Sequence, residues 1–159
     1  MKIAQIIATL FVVFGCVLPS YARINETRQE CIARYGQPVA ADNETHLLVF
    51  MKGSFLIGIN FFEDKADKIL FRKVTQDILE KGEEISDDEI QILLKANGAG
   101  KEWRKIKTIS IDRQWITNDG SIYAKYYTMS NNLILITTAS SKREAEAEKS
   151  KDEKRLEGF

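Results

Sequence analysis

The stretch Ser54-Phe55-Leu56-Ile57-Gly58-Ile59-Asn60-Phe61-Phe62-Glu63-Asp64-Lys65-Ala66-Asp67-Lys68-Ile69-Leu70-Phe71-Arg72-Lys73-Val74 decides the fold. Its first half, Ser54 to Phe62, is crowded with β-branched and aromatic residues and reads as a strand. Glu63 to Asp67 is a polar turn. Lys68 to Val74 then alternates, with Ile69, Phe71 and Val74 against Lys68, Arg72 and Lys73, the period of a half-buried strand. Two runs this close together form an antiparallel hairpin. Gly58, in the middle of the first run, predicts a bulge or a close backbone approach. Upstream, His46 to Met51 adds a third strand, with Gly53 at the turn between them.

A helix precedes these strands. Asn25 to Tyr35 carries Cys31, Ile32 and Tyr35 on one side. Thr27 and Glu30 stand at the spacing of a capping box, and Gly36 and Pro38 stop the helix. A second unit follows the charged stretch from Gln76 to Glu84. Ser86-Asp87-Asp88-Glu89 is another capping box, with acids placed to suit the helix dipole. Ile90, Leu93 and Leu94 make an apolar stripe that Asn97-Gly98 ends. Ile106, Ile109 and Ile111 suggest a strand, with Trp103 at its approach and Trp115 past its end. Asn118-Asp119-Gly120 is a hairpin turn whose Asp-Gly tolerates positive φ. Ser121 to Met129 and Leu133 to Thr138 complete the strands, joined at Asn131-Asn132.

Both halves therefore read helix, then three strands, and the capping boxes fall at corresponding places. A duplicated unit (residues 24–75 and 85–139) and a chance likeness of pattern are both compatible with this. The expected fold class is α+β: one antiparallel sheet of about six strands with two short helices on one face. The expected division is a leader over residues 1–22, one α+β domain over 23–139 and a charged tail over 140–159. Lys142 to Glu157 carries six basic and six acidic residues, so weak side-chain pairs predict a frayed helix or a disordered tail. Leu156 and Phe159 are its candidates for docking back on the domain or onto a partner.

The leader carries the clearest functional signal. Lys2 precedes an apolar run from Ile3 to Val17 of about 15 residues, short for a membrane span of roughly 20. Ser20-Tyr21-Ala22 then fits a signal-peptidase site. The expectation is an exported, periplasmic or secreted protein beginning near Arg23. The alternative is a lipoprotein anchored through Cys16, since Val13-Phe14-Gly15-Cys16 resembles a lipobox. The chain balances 23 Lys and Arg against 23 Asp and Glu. Cleavage would remove Lys2 alone, and so balanced a charge disfavours nucleic acid and a polybasic membrane anchor. No later apolar run approaches spanning length. With Cys31 the sole cysteine after cleavage, no internal disulfide can form.

Few residues suggest catalysis. His46 is the only histidine; a histidine-based triad, an HExxH zinc site and a His/Cys metal cluster each need partners or spacings this chain lacks, which leaves it a surface residue at a strand end. Cys31 sits in the first helix turns, where the dipole favours a thiolate, but the adjacent Glu30 opposes one; a packed small side chain, an intermolecular disulfide and a reactive thiol are its three readings. The acid clusters Glu63/Asp64/Asp67 and Asp87/Asp88/Glu89 lack calcium-loop spacing. Gly98-Ala99-Gly100-Lys101 lacks the spacer and the hydroxyl residue of a phosphate loop, and reads as a helix exit. No catalytic residue, metal or cofactor is expected.

The aromatic and basic second half is the better candidate for binding. Alternation along Ile122 to Thr128 sets Tyr123, Lys125 and Tyr127 on one side, an amphipathic outer face. Trp115, Tyr123, Lys125 and Tyr127 are the candidate partner-binding residues, for an envelope protein, a peptide or a second copy of the chain. The alternatives are a thiol- or carboxylate-dependent enzyme and a tethered lipoprotein of structural role.

The capped helix at Thr27, its exit Tyr35-Gly36-Gln37-Pro38, and the hairpin from Ile59-Asn60-Phe61-Phe62-Glu63-Asp64 to Ile69 give residues 24–74 a resemblance. They resemble the first unit of SmpA/OmlA-like outer-membrane-assembly lipoproteins and the related beta-lactamase-inhibitor-protein fold. That resemblance implies a helix followed by antiparallel strands, serving as an interaction module. The whole chain also resembles small exported proteins of unknown function that share Glu-Cys-x-x-Arg-Tyr-Gly-x-Pro (Glu30 to Pro38) and a Leu-Glu-Gly-Phe end (Leu156 to Phe159). It implies no activity.

Overall fold

Both capping boxes are formed, and each starts a helix that a meander of strands follows. The computed structural model describes residues 23–74 and 82–156. Residues 1–22, where the leader is expected, 75–81, which take in the start of the charged stretch, and 157–159 with Phe159 lie outside these. The elements run α1 (Arg28–Tyr35), β1 (Ala40–Asp42), β2 (Leu47–Lys52), β3 (Phe55–Phe62), β4 (Lys65–Lys73), α2 (Asp87–Asn97), β5 (Trp103–Ile106), β6 (Arg113–Thr117), β7 (Ile122–Tyr127), β8 (Asn132–Thr137) and α3 (Thr138–Leu156). At α1 the Glu30 amide donates to Thr27 Oγ1 (3.2 Å) while the Thr27 amide donates to Glu30 Oε2 (2.7 Å). Ser86 and Glu89 repeat the exchange at 3.2 and 2.8 Å. Each box satisfies two helix-end donors that would otherwise lack partners.

The strands form one antiparallel sheet in the order β1-β2-β3-β4-β8-β7-β6-β5. Each half contributes a meander of four strands, and the two meet through their last strands, β4 and β8. The α+β class stands, but among the described residues the sheet has eight strands and there are three helices. β1 escapes a pattern reading because its three residues are all exposed. In the second half the expected Ile106–Ile111 strand is two strands, β5 and β6. Ile109 and Ile111 lie in the loop between them at 110% and 67% exposure, and Trp115 sits in the middle of β6 rather than past a strand.

Register assigns each side chain to a face. Phe50, Ile57, Phe71, Leu133 and Tyr126 form one continuous cross-strand row. Leu48, Ile59, Ile69, Leu135, Ala124 and Trp115 form the next. All are buried and join Cys31 and Tyr35 of α1 and Ile90, Leu93 and Leu94 of α2 in one core cluster. Both helices thus cover the same face. Each large side chain so buried contributes about 1.5–3 kcal/mol relative to exposure. Two ion pairs fasten α2 at the rim: Lys73 reaches Glu89 at 2.9 Å, and Arg113 pairs with Asp87.

Turn chemistry departs from the sequence reading in an instructive way. A tight two-residue turn whose residues both take positive φ (49° and 58°) falls at Glu63-Asp64, between the paired Phe62 and Lys65. At Asn118-Asp119-Gly120, only Gly120 is positive (73°). The irregularity in β3 lies between Asn60 and Phe61, not at Gly58. A Cβ on Gly58 would meet only ordinary contacts, the nearest at 3.6 Å to Leu47. Glutamate is a poor left-handed residue, costing about 1–2 kcal/mol there. Glu63→Asn with Asp64→Gly should therefore raise the unfolding free energy by about 0.5–2 kcal/mol. The loss of the exposed Arg28–Asp64 pair (3.9 Å) offsets little of that. A higher urea midpoint at unchanged slope is the expected result; an unchanged or lower midpoint would refute it.

The described part of the tail is a helix, α3, which follows directly on β8. Arg143 pairs with Asp67 and lies 3.8 Å over the Phe62 ring, and Lys68 bonds Glu144 at 2.7 Å. Beyond these anchors α3 is almost wholly exposed. Leu156 does not dock back on the domain: it is exposed.

Candidate functional site

Among the described residues, no helix covers most of the width of the face opposite α1 and α2. Three cross-strand rows build it. Met51, Leu56, Arg72, Asn132 and Tyr127 form one; Val49, Gly58, Leu70, Ile134, Lys125 and Gln114 the next; Leu47, Asn60, Lys68, Ile136, Tyr123 and Ile116 the third. Most of these are half-buried, and Met51 is 44% exposed. This open side of the sheet carries many aliphatic and aromatic side chains, with the cations Lys68, Arg72 and Lys125 set among them.

β7 sets three of the four candidate binding residues on this face. Tyr123, Lys125 and Tyr127 project together by the two-residue period. Lys125 Nζ stands 4.2 Å from the Tyr127 ring centre and 3.1 Å from Asp112 Oδ2. That ion pair raises the lysine and lowers Asp112 from their ordinary values. Burial raises the Tyr123 phenol, so this surface presents a neutral phenol and a fixed cation at neutral pH.

Trp115 is the exception. It is 5% exposed, pairs with Ala124, and belongs to the helix-covered core. Sequence alternation missed this because Arg113, two residues earlier on the same side, looks like a solvent position. Its guanidinium in fact lies 4.4 Å over the Tyr126 ring and pairs with Asp87. The first-half share of the open face (Leu47, Val49, Met51, Leu56 and Leu70) was also missed. A continuous apolar run reads as a strand covered on both sides, and only the sheet order shows that one side is bare.

Four of the six clustered carboxylates considered for chemistry are held in ion pairs, Asp64 by Arg28 among them. His46 is exposed at φ 53°, just before β2. Asp67 pairs with Arg143, Asp87 with Arg113, and Glu89 with Lys73. Gly98 has helical φ, but a Cβ there would stand 2.8 Å from both the Lys101 carbonyl and Trp103 Nε1. Among the described residues no group of three His, Cys, Asp or Glu is arranged to hold a metal ion.

Cys31 is fully buried beneath α1, and burial pushes its thiol up to about 12. A protonated, inaccessible thiol is neither a nucleophile nor a disulfide partner in the folded state. Thiol reagents should leave Cys31 unlabelled in the native protein at neutral pH and label it rapidly in denaturant. The raised value also has a sign. Above the ordinary value of 9.0 the unfolded thiol ionises while the folded one keeps its proton, so unfolding is favoured as pH rises. The stability difference between wild type and Cys31→Ala should be constant below about pH 9 and move against wild type from there to about pH 12. A difference flat across that window would refute the buried thiol.

No family model and no curated protein matches the chain. Among solved structures it is similar to a cysteine-rich secretory protein from Staphylococcus aureus subsp. aureus Mu50, at TM-score 0.42 and 10% identity. The match covers 74% of this chain, which spans 45% of that one. Likeness of this degree carries no argument about activity. Among the described residues no helix is long and apolar enough to cross a membrane.

Proposed function

We propose that this chain is an exported, non-enzymatic binding module of the cell envelope that holds a protein or peptide partner on its open sheet face. The observation that carries the reading is the bare side of the eight-stranded sheet, where Tyr123 and Tyr127 flank a fixed Lys125 and adjoin Leu70, Ile134 and Ile116. Tyrosines with a fixed cation, surrounded by aliphatic side chains, supply binding energy at low entropic cost. The burial of Cys31 weighs against a thiol enzyme. The repeated plan of capped helix and four-stranded meander supports a duplicated unit.

The test is a pull-down from envelope extract with the purified protein, run beside Tyr123→Ala/Tyr127→Ala. A partner retained by wild type and lost by the double variant supports the reading. Equal recovery by both, or no specific partner in repeated trials, counts against it. The mass of the cell-exported chain separates the two export routes: an N-terminus at Arg23 gives the free protein, and a lipidated Cys16 the tethered one. Accumulation of full-length chain in the cytoplasm would overturn export.

A further inference from the structure

The outer edge of β5 ends the sheet on the side of the second half. The Asn118 amide donates to the Glu102 carbonyl (2.9 Å), and Trp103 faces Thr117, Arg104 faces Ile116, Lys105 faces Trp115. Bonding alternates along an antiparallel pair. The backbone groups of Glu102 and Arg104 therefore turn toward β6, and those of Trp103 and Lys105 turn outward. Among the described residues nothing hydrogen-bonds them there.

This edge is unusually charged. Arg104, Lys105 and Lys107 are exposed and have no carboxylate partner among the described residues, whereas neighbouring Lys101 and Lys125 are held by Asp119 and Asp112 at 2.7 and 3.1 Å. Three free cations in four residues thus line a row of open backbone donors and acceptors. Beside them the 107–112 loop holds Ile109 and Ile111 out in solvent. The opposite edge is different: β1 is three residues long and carries an acid, Asp42.

We propose that the β5 edge is a docking site for an extended, acidic polypeptide segment of a partner protein, which adds a ninth strand to the sheet. The outward groups of Trp103 and Lys105 supply ladder bonds, as in other strand-addition complexes. Alternate side chains of the added strand face Arg104 on the open side and Lys105 on the helix side, so carboxylates at either set are matched. Lysines on an edge commonly serve to prevent pairing. Here they exclude a second copy of the same edge, because cation would meet cation, but they leave an acidic strand favoured. Charge therefore selects the occupant. The site extends the reading of the chain as a binding module to a second surface, and it stands on variants different from those at Tyr123 and Tyr127.

The probe is a fluorescent peptide of alternating Glu and Val, followed by anisotropy with the purified full chain; a Lys-Val peptide and inorganic polyphosphate are the comparisons. Saturable binding of the Glu-Val peptide is expected, weakening with salt. Arg104→Glu/Lys105→Glu/Lys107→Glu should weaken it about tenfold or more. Lys105→Pro removes an outward N–H that β6 does not use, so the sheet tolerates it. It should weaken binding well beyond Lys105→Ala, which removes only the charge, and Tyr123→Ala/Tyr127→Ala should leave binding intact. No binding, equal binding of the Lys-Val peptide, or equal effects of Lys105→Pro and Lys105→Ala would overturn the proposal. Polyphosphate competing fully while Lys105→Pro has no effect would make the edge a general anion surface instead. Should the triple variant fail to fold by circular dichroism, Lys107→Glu, just outside the strand, reads the charge contribution.

Discussion

Trp115→Ala should lower the unfolding free energy by about 3–5 kcal/mol, the usual cost of deleting a large buried aromatic and leaving a cavity. The indole is 5% exposed and lies in the row Ile59, Ile69, Leu135, Ala124 and Trp115, in one core cluster with Ile90, Leu93 and Leu94. Its strand neighbour Ala124 is too small to fill the space left. Against a total stability of about 5–15 kcal/mol for a domain of ordinary size, the loss would lower the denaturant midpoint steeply. A tryptophan serving a partner on an exposed face predicts the opposite: little change in stability and a loss of binding. Tyr127→Ala is the internal comparison. Tyr127 is half-buried on the open face, so its truncation should cost far less stability than Trp115→Ala. Equal midpoints for wild type and Trp115→Ala would show that the indole is not a core residue.

That contrast shows where sequence reasoning succeeds and where it stops. The capping boxes at Thr27/Glu30 and Ser86/Glu89 were legible because a helix start is a local chemical arrangement of four residues. The hairpin from Ser54 to Val74 was legible because its strand formers and polar turn are contiguous. Sheet order is not local. The seam between β4 and β8 joins residues far apart in the chain, and it alone decides that one side of β3 and β4 is bare. Ile109 and Ile111 had the right period for a strand but no neighbour to pair with. Arg113 disguised the buried side of β6, because a guanidinium stacked on Tyr126 and paired with Asp87 sits where an apolar residue was expected. On the candidate site, alternation along β7 placed Tyr123, Lys125 and Tyr127 together. It could not place Trp115, whose strand had not been recognised.

The same seam makes the two halves one thermodynamic unit. Phe71, 1% exposed on β4, pairs with Ile57 on one side and Leu133 of β8 on the other. The row continues without a break from Phe50 to Tyr126. Phe71→Ala should therefore remove about 3–5 kcal/mol, and the loss should be felt equally by both halves. The protein supplies its own reporter for this. Its two tryptophans, Trp103 and Trp115, both lie in the second half, whereas far-ultraviolet circular dichroism averages over the whole chain. With a shared core, fluorescence and dichroism give coincident urea transitions, and Phe71→Ala moves both midpoints down together. Two independent halves would behave otherwise. A substitution in the first would leave the tryptophan transition in place while the dichroism curve split into two steps. Coincident, equally shifted curves are the expected result, because the rows through Phe71 and Ile69 both cross the boundary between β4 and β8.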